Sequence, residues 1–388
     1  MDNTGPSTVM PVEDDEICGL YEGYSTQRFI IITACTTIAL FGVLANMLLM
    51  AVFRRSLPSS IFLASLATCD SLICLTYTLL FGVDAGIWYR KNTTLFFLYH
   101  RYIVPVFFIA KVVQFAIPFI LILITFERYL WTCTESKRKF FSTVFNERGR
   151  IVTVIFVLFF SVVIRIPVLY AMKVKPFPEC DDYFRSESLA GTPFASTEAY
   201  SIYDFHVITA IQMMFPFVVL LLLNLTIIKR LVAEKRENMY PILRSGTTTT
   251  EAKKASFVQG NLPENYVLLQ VAADVIKESL IHRSSRSKRS QLRNAIYTML
   301  AIVTSYLVCN GVHLFLTILE RFDPSYLYDS VDSSQSSTFY IVLSDTVSIC
   351  YMISSAIRIF IYAKCNPKLR QEIADYIKRE KNIETNSS

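Results

Sequence analysis

Charged residues are scarce in this chain of 388 amino acids. Asp, Glu, Lys and Arg together make up 18% of it, whereas hydrophobic residues make up 53%. A soluble protein of this size has too small a core to bury so many apolar side chains. The composition therefore excludes an ordinary soluble protein, and it predicts that lipid covers part of the surface.

Patterns that carry catalysis or bind metals are also missing. The four histidines are scattered, and no metal-ligand spacing, phosphate-binding glycine loop or nucleophile with a histidine partner occurs. We therefore expect no enzymatic activity, no metal and no cofactor. The net charge of +6 is modest, and a basic membrane face that meets anionic lipid accounts for it. Nucleic acid is not expected as a partner.

Seven long apolar segments dominate the chain. A helix that crosses a bilayer needs about 20 mostly apolar residues, and each segment reaches that length. The segments lie near residues 27–53, 61–87, 102–126, 151–171, 205–228, 295–319 and 339–363. The sequence predicts an all-α membrane protein, a seven-transmembrane helix bundle over 27–365 that contains one long loop at 229–292. A segment of residues 1–26 precedes the bundle, and residues 366–388 follow it.

The distribution of basic residues predicts the orientation in the membrane. Lys and Arg cluster after the first, third, fifth and seventh segments, whereas an acidic run, Glu13–Glu16, precedes the first. Because short basic loops stay in the cytoplasm, we expect a multi-pass protein of the cell membrane with an extracellular amino terminus. Residues 1–26 show no removable signal peptide, so the first segment is expected to act as its own insertion signal.

Cysteine positions predict one disulfide. Of nine cysteines, only Cys18 and Cys180 lie clearly on the expected outer side, where disulfides persist. They are candidates for a bridge that draws the amino-terminal segment over the bundle. On the same side, Asn92-Thr93-Thr94 is a glycosylation sequon. Its closeness to the membrane leaves open whether Asn92 carries a glycan.

Several short motifs resemble those of rhodopsin-like G-protein-coupled receptors. The third segment ends in Glu127-Arg128-Tyr129, similar to the acid-Arg-aromatic triplet of that family. Other matching positions are Asn46, the Leu66-Ala67-x-x-Asp70 pattern, Pro216 and Tyr362. The resemblance implies a receptor for an extracellular ligand that activates a heterotrimeric G protein through Glu127, Arg128, Tyr129 and Tyr362. Glu127 is expected to hold Arg128 in the resting state.

The resemblance also implies features at the cytoplasmic side. The segment that begins at Asn366-Pro367 has apolar residues along one face and polar residues along the other, which predicts a short amphipathic eighth helix on the membrane surface. Serines among basic residues at 283–290 are candidate substrates of receptor kinases, with arrestin as a further partner. A solvated linker is the alternative explanation for this run.

Departures from the family pattern indicate the branch. Arg358-Ile359 replaces the family's Asn-Pro, and Cys309-Asn310-Gly311-Val312 replaces its Cys-Trp-x-Pro. With these departures the chain is most similar to divergent invertebrate receptors, in particular the nematode FMRFamide-type neuropeptide receptors. Ala110 and Met352 stand where amine receptors carry Asp and opsins carry Lys, so neither amines nor retinal are expected ligands.

Two other functions remain open at this point. One is a chemosensory receptor for a small hydrophobic metabolite. The other, from a different class, is a seven-span transporter or channel. Transporters tend to show internal repeats with paired broken helices, and segments 1–3 compared with 5–7 show no such pairing. The receptor interpretation is therefore favoured.

Polar and charged residues inside the segments are candidate ligand-binding residues, because each is costly in lipid unless it is paired or faces water. The candidates are Lys111, Gln114, Arg165, Asp204, His313, Glu320 and Asp345. Lys111 and Gln114 are expected in an upper cavity. Alternatively, Lys111 reaches the outer headgroups and the outer acids are solvated helix ends.

A second polar group is expected deeper in the bundle. The resemblance places Asn46, Asp70 and Arg358 in one network, where the family's acid usually shares a hydrated pocket with sodium. In this chain Arg358 would take the place of the mobile cation. Two alternatives stay open, namely that Arg358 reaches the inner headgroups or that the register is shifted by one turn.

Overall fold

Seven membrane-length helices form the body of the protein. The computed structural model describes residue 18 and residues 26–56, 61–133, 135–244, 293–294, 296–319 and 338–387. Within these ranges, seven helices are long and apolar enough to cross a membrane. They are spans 1 to 7, at Thr26–Arg55, Ile61–Arg90, Thr93–Trp131, Glu147–Ala171, Glu198–Arg230, Ile296–Leu319 and Val342–Cys365. The predicted seven-span, all-α architecture is confirmed.

The bundle has two faces, which we name by chain direction. Span 1 begins at the amino-terminal face, where span 2 ends and span 3 begins. At the opposite, carboxy-terminal face span 3 ends, and two short helices, Glu135–Phe140 and Ser142–Phe145, lead to span 4. Span 4 returns to the amino-terminal face and exposes large apolar side chains such as Phe156 and Phe159 on its outside. Such a surface fits a surrounding of lipid.

Span 3 is longer than its apolar segment predicted. It covers Thr93–Trp131, 39 residues, rather than 102–126. The Asn92 side chain accepts a hydrogen bond from the backbone N–H of Leu95 at 3.0 Å, and this cap starts the helix before the hydrophobic run begins. Because 39 residues correspond to about 58 Å of helix, span 3 extends beyond a bilayer core about 30 Å thick.

Span 2 contains a widened turn that span 3 supports. Its α-helix Ile61–Tyr77 passes through a π-helical turn, Thr78–Gly82, before a second α-helix, Val83–Arg90. Tyr99 and Tyr102 of span 3 donate hydrogen bonds from their hydroxyls to the carbonyl oxygens of Leu80 at 3.1 Å and Leu79 at 3.0 Å. The two tyrosines thus satisfy carbonyls at a turn type that is often found at functional sites.

Span 5 has the same kind of irregular start, and span 7 is interrupted. A short α-helix, Glu198–Ser201, leads into π-helical turns at Ile202–Ile208 and Ala210–Met214, and a regular helix continues over Phe215–Arg244. In span 7, one residue, Ile357, separates the helix Thr338–Ala356 from the helix Arg358–Cys365. Arg358 therefore stands directly after the break.

A β-hairpin lies at the amino-terminal face between spans 4 and 5. Its antiparallel strands, β1 (Met172–Pro176) and β2 (Glu187–Gly191), pair with Met172 opposite Gly191. Phe184 and Leu189 pack against a buried cluster from the ends of spans 2 and 3 that includes Ile87 and Phe96. The hairpin therefore covers these two spans.

The main hydrophobic core lies between spans 1, 2, 3 and 6, towards the carboxy-terminal face. Phe53, Phe62, Ile124 and Ile302 are among its buried members. A helix over Pro367–Ser387 follows span 7, and its Leu369 joins this core. That helix begins where the amphipathic eighth helix was predicted.

Candidate functional site

A cavity of about 440 Å³ lies under the hairpin, between spans 2 and 3. Residues of span 3 from Phe96 to Gln114 form one wall, a distance of about 27 Å along the helix axis. Span 2, the hairpin, Arg28 of span 1 and Ser348 of span 7 form the rest. The cavity therefore follows span 3 over about five turns of helix.

The lining carries both signs of charge. Its acidic and basic side chains are Arg28, Asp84, His100, Lys111 and Glu187. The ring nitrogen Nδ1 of His100 lies 3.9 Å from Oε2 of Glu187, and the Lys111 ammonium lies 5.0 Å from the centroid of the Phe107 ring. Such a lining offers hydrogen bonds and ion pairs along its length, which suits a polar, elongated ligand better than a small apolar one.

The predicted ligand-binding residues fall into two groups. Lys111 and Gln114 line the cavity near the middle of span 3, and their role in ligand binding stays a prediction. Asp345 is not part of the lining, but its Oδ2 accepts a hydrogen bond at 3.1 Å from Nε of Arg28, which does line it. Glu320 lies outside the described residues.

The other three candidates pair with protein groups away from this cavity. Arg165 of span 4 donates to Asp204 Oδ1 at 3.1 Å and to the Gln212 side chain, both in span 5. His313 Nδ1 lies 3.1 Å from the hydroxyl of Tyr351. These contacts join spans 4 and 5 and spans 6 and 7.

Sequence reasoning missed the aromatic and acidic part of the lining. Trp88 and Asp84 of span 2, and Phe184 and Glu187 of the hairpin region, all line the cavity. One signal was present in span 2, where an acid stands four residues before one of the two tryptophans of the chain and therefore shares its helix face. The hairpin residues gave no such signal, because their position depends on how the loop folds back.

The predicted disulfide is present. Cys18 and Cys180 are bonded with their Cα atoms 4.9 Å apart, and the other seven cysteines are free. Cys180 lies between the two hairpin strands, so the bond ties residue 18 to the structure that covers the cavity. Asn92 caps span 3, and its glycosylation stays a prediction.

A polar network crosses the middle of the bundle. The Arg358 guanidinium donates to Oδ2 of Asp70, and the Ser355 hydroxyl donates to Oδ1 of the same carboxylate at 2.9 Å. The side-chain amide of Asn46 donates to the carbonyl oxygen of Ser355 at 3.0 Å. All four side chains are buried. The structure thus brings together the three residues that the sequence placed in one network, and Arg358 does not point to the headgroups.

The coupling triplet at the end of span 3 makes a contact with span 4. Glu127 accepts a hydrogen bond from Arg150 in the first turn of span 4 rather than from Arg128. Span 4 starts at a cap in which the Asn146 side chain accepts from the Gly149 backbone N–H at 2.7 Å, and this start places Arg150 next to span 3. The expected restraint of Arg128 by Glu127 in the resting state stays a prediction.

Arg128 instead stacks on an aromatic ring of its own helix. Its guanidinium carbon lies 3.8 Å from the centroid of the Trp131 ring, and the side chain is buried. Close by, Arg230 of span 5 donates to the carbonyl oxygen of Thr132 at 3.0 Å and to the Tyr129 hydroxyl at 3.3 Å. These contacts tie the end of span 3 to span 5. Tyr362 is buried against span 1, with its ring centroid 5.4 Å from that of Phe53.

Comparison with known proteins agrees with this architecture. Residues 28–362 match the sequence model of the seven-transmembrane receptors of the rhodopsin family. The chain is also similar to an FMRFamide receptor of Drosophila melanogaster, with 27% identity over 209 residues. This alignment covers 52% of the chain and 37% of the length of the fly receptor. The matched family comprises receptors and not enzymes, and because the match takes in all seven spans, the protein belongs to the rhodopsin family of seven-transmembrane receptors.

Proposed function

We propose that this receptor binds an FMRFamide-like neuropeptide at its amino-terminal face and activates a heterotrimeric G protein at its carboxy-terminal face. In this proposal the protein lies in the cell membrane with the amino-terminal face outside. The basic residues after spans 1, 3, 5 and 7 support that orientation, because short loops rich in Lys and Arg remain in the cytoplasm.

The shape and charge of the cavity support a peptide ligand. An extended peptide advances about 3.3 Å per residue, so a wall of about 27 Å can follow several residues of an extended peptide, of which the cavity of about 440 Å³ holds a part. Lys111 and Gln114 at the deep end can donate hydrogen bonds to peptide carbonyl groups. A small hydrophobic metabolite is less well supported, because five acidic or basic side chains line the cavity, and an apolar ligand would displace water from them without replacing its hydrogen bonds.

The end of span 3 supports the coupling assignment. Arg128 and Tyr129 lie at the carboxy-terminal face, where contacts from spans 4 and 5 hold the helix end. Breaking the contacts of Arg150 and Arg230 would free span 3 and expose Arg128 to a partner. Phosphorylation of serines in 283–290 by receptor kinases, followed by arrestin binding, is part of the same proposal. That run lies outside the described residues.

A screen in transfected cells tests the proposal. Cells that express the receptor are exposed to a library of amidated neuropeptides and to a panel of small hydrophobic metabolites, while cytosolic calcium and cyclic AMP are recorded. We expect a response to peptides that end in Arg-Phe-amide. Arg128→Ala at matched surface expression is expected to lose the response but to keep peptide binding.

Two results would contradict the proposal. A response to the metabolites with none to any peptide would refute the ligand assignment. Signalling of unchanged potency and amplitude by Arg128→Ala would refute the role of the triplet.

A further inference from the structure

A lysine side chain occupies the space between two aromatic rings at the mouth of the cavity. The ammonium of Lys91 lies 4.6 Å from the centroid of the Trp88 ring and 4.8 Å from that of the Phe184 ring. The two ring centroids are 6.5 Å apart. A single cation therefore contacts one ring from span 2 and one from the hairpin region.

The backbone holds Lys91 in this place. Lys91 ends the last helix of span 2 in a left-handed conformation with φ of 50°, and its N–H donates to the carbonyl oxygen of Ile87 at 2.8 Å. This conformation is uncommon for a residue other than glycine. Trp88 stands three residues earlier on the same helix, so the turn directs the lysine stem back towards the indole.

The two rings belong to the cavity, whereas Lys91 does not. Trp88 and Phe184 line the cavity together with Asp84 and Glu187. Lys91 is exposed and is absent from the lining. Aromatic faces attract cations, and the attraction grows when the cation leaves water. The carboxylates in the same lining favour positive charge as well.

We propose that Trp88 and Phe184 form a cation site at the mouth of the cavity, which binds a positively charged group of the ligand in place of Lys91. The chemistry required is that of an arginine guanidinium or a primary ammonium, and the assignment of this cation to a peptide rests on the proposed function. Lys91 occupies the site until the ligand arrives. Its displacement costs little, because an exposed ammonium on a flexible stem returns to water.

The displacement by the ligand has a measurable consequence. An added cation can bind only while Lys91 is away from the rings. Its apparent affinity is therefore the intrinsic affinity multiplied by the fraction of time that the site is empty. A cation–π contact of ordinary strength corresponds to an occupancy ratio of about three to ten. Lys91→Gln should therefore tighten cation binding by about three- to tenfold.

Tryptophan fluorescence tests the site without reference to signalling. The chain has two tryptophans, at positions 88 and 131, so Trp131→Phe leaves Trp88 as the single reporter. The full chain is purified in lipid nanodiscs and titrated with Nα-acetylargininamide and with phenylalaninamide. Nα-acetylcitrullinamide serves as the neutral counterpart of the first probe. We expect at least one of the two cations to change the Trp88 emission and the citrulline compound to leave it unchanged.

Two further variants sharpen the test. In the Trp131→Phe background, Lys91→Gln is expected to shift the cation titration to lower concentration, and Phe184→Leu to shift it to higher concentration. Lys175→Gln is the matched control, because the Lys175 ammonium lies 5.2 Å from the centroid of the Phe177 ring, which is not part of the cavity lining. This control is expected to titrate like the parent protein.

The outcomes separate the cation site from the proposed function. The site is refuted if neither cation changes the emission, if the citrulline compound acts like the arginine compound, or if Lys175→Gln has the effect expected of Lys91→Gln. The probe that acts at the lower concentration identifies whether a guanidinium or an ammonium is preferred. If the cations change the Trp88 emission but no Arg-Phe-amide peptide activates the receptor, the cation site stands and the proposed peptide ligand is refuted.

Discussion

Two ion pairs tie span 7 to its neighbours at different depths. In the middle of the bundle, Asp70 of span 2 pairs with Arg358, and their side chains are 1% and 2% exposed. Near the amino-terminal face, Arg28 of span 1 pairs with Asp345 at 3.1 Å, and their side chains are 19% and 23% exposed. Both pairs join an Asp and an Arg, but water reaches the second pair more easily than the first.

This difference determines how strongly the protein depends on each pair. In the deep pair neither charge can exchange its partner for water, so removing one partner leaves an uncompensated charge. In the rim pair, water can solvate whichever partner remains, and the pair contributes little to stability. We therefore expect the stability of the protein to depend more on the deep pair than on the rim pair.

The largest effect is expected at the deep pair. Arg358→Ala leaves Asp70 buried and unpaired, and Asp70→Asn leaves Arg358 in the same state. Each should destabilise the receptor by about 3–5 kcal/mol, visible as lost surface expression and faster thermal inactivation in membranes. The double variant Asp70→Asn/Arg358→Ala should recover part of the loss. Strictly additive single effects would show that the two residues do not act as a pair.

Arg165 provides a case of intermediate burial. Its side chain is 6% exposed, whereas that of its partner Asp204 is 45% exposed. Arg165→Leu leaves Asp204 open to water but deprives the buried Gln212 of its partner, and should cost about 1–3 kcal/mol. Thermal inactivation of Asp204→Asn is the comparison, and it should show the larger loss, because it leaves the buried Arg165 guanidinium without its counter-charge. An equal loss in both variants would mean that burial does not decide the strength of these pairs.

A smaller effect is expected at the rim. Asp345→Asn should change stability by about 1 kcal/mol or less, and the change should shrink further at high ionic strength because salt screens exposed charges. Thermal inactivation in low and high salt measures this. A loss as large as that of Arg358→Ala would remove the distinction between the two depths.

No effect is expected from sodium ions. Because the Arg358 guanidinium already occupies the Asp70 carboxylate, a mobile cation has no place to bind there. Agonist binding to membranes should be equal in sodium chloride and in choline chloride of the same ionic strength. A lower agonist affinity in sodium chloride than in choline chloride would show that the Arg358 guanidinium does not take the place of a bound sodium ion.

The same two pairs show what the sequence could predict. The deep pair followed from the order of motifs on segments two and seven, since family resemblance fixed the register of Asp70 and Arg358. The partner of Asp345 could not be predicted. Arg28 stands at the very start of span 1, and hydropathy shows where that helix begins but not towards which span the Arg28 side chain points. Hydropathy likewise placed span 3 correctly but not its first nine residues, since the Asn92 cap rather than apolarity begins that helix.

Contacts made by packing were beyond the sequence. Glu127 was assigned to its neighbour in the chain, whereas the structure pairs it with Arg150. That partner depends on how closely the first turn of span 4 approaches span 3. Phe184 and Glu187 reach the cavity only because the hairpin folds over spans 2 and 3. In each case the contacts of a residue depend on how closely two helices, or a helix and the hairpin, pack together. A local sequence pattern does not show this.

Peptide-stimulated nucleotide exchange tests the central claim most directly. The purified receptor is reconstituted in lipid nanodiscs with heterotrimeric G proteins of several classes, and exchange is followed with and without an Arg-Phe-amide peptide that binds the receptor. We predict that the peptide accelerates exchange on at least one G protein, and that Arg128→Ala binds the peptide without accelerating exchange. Peptide binding that leaves exchange unchanged on every G protein, or equal acceleration by Arg128→Ala, would contradict the account.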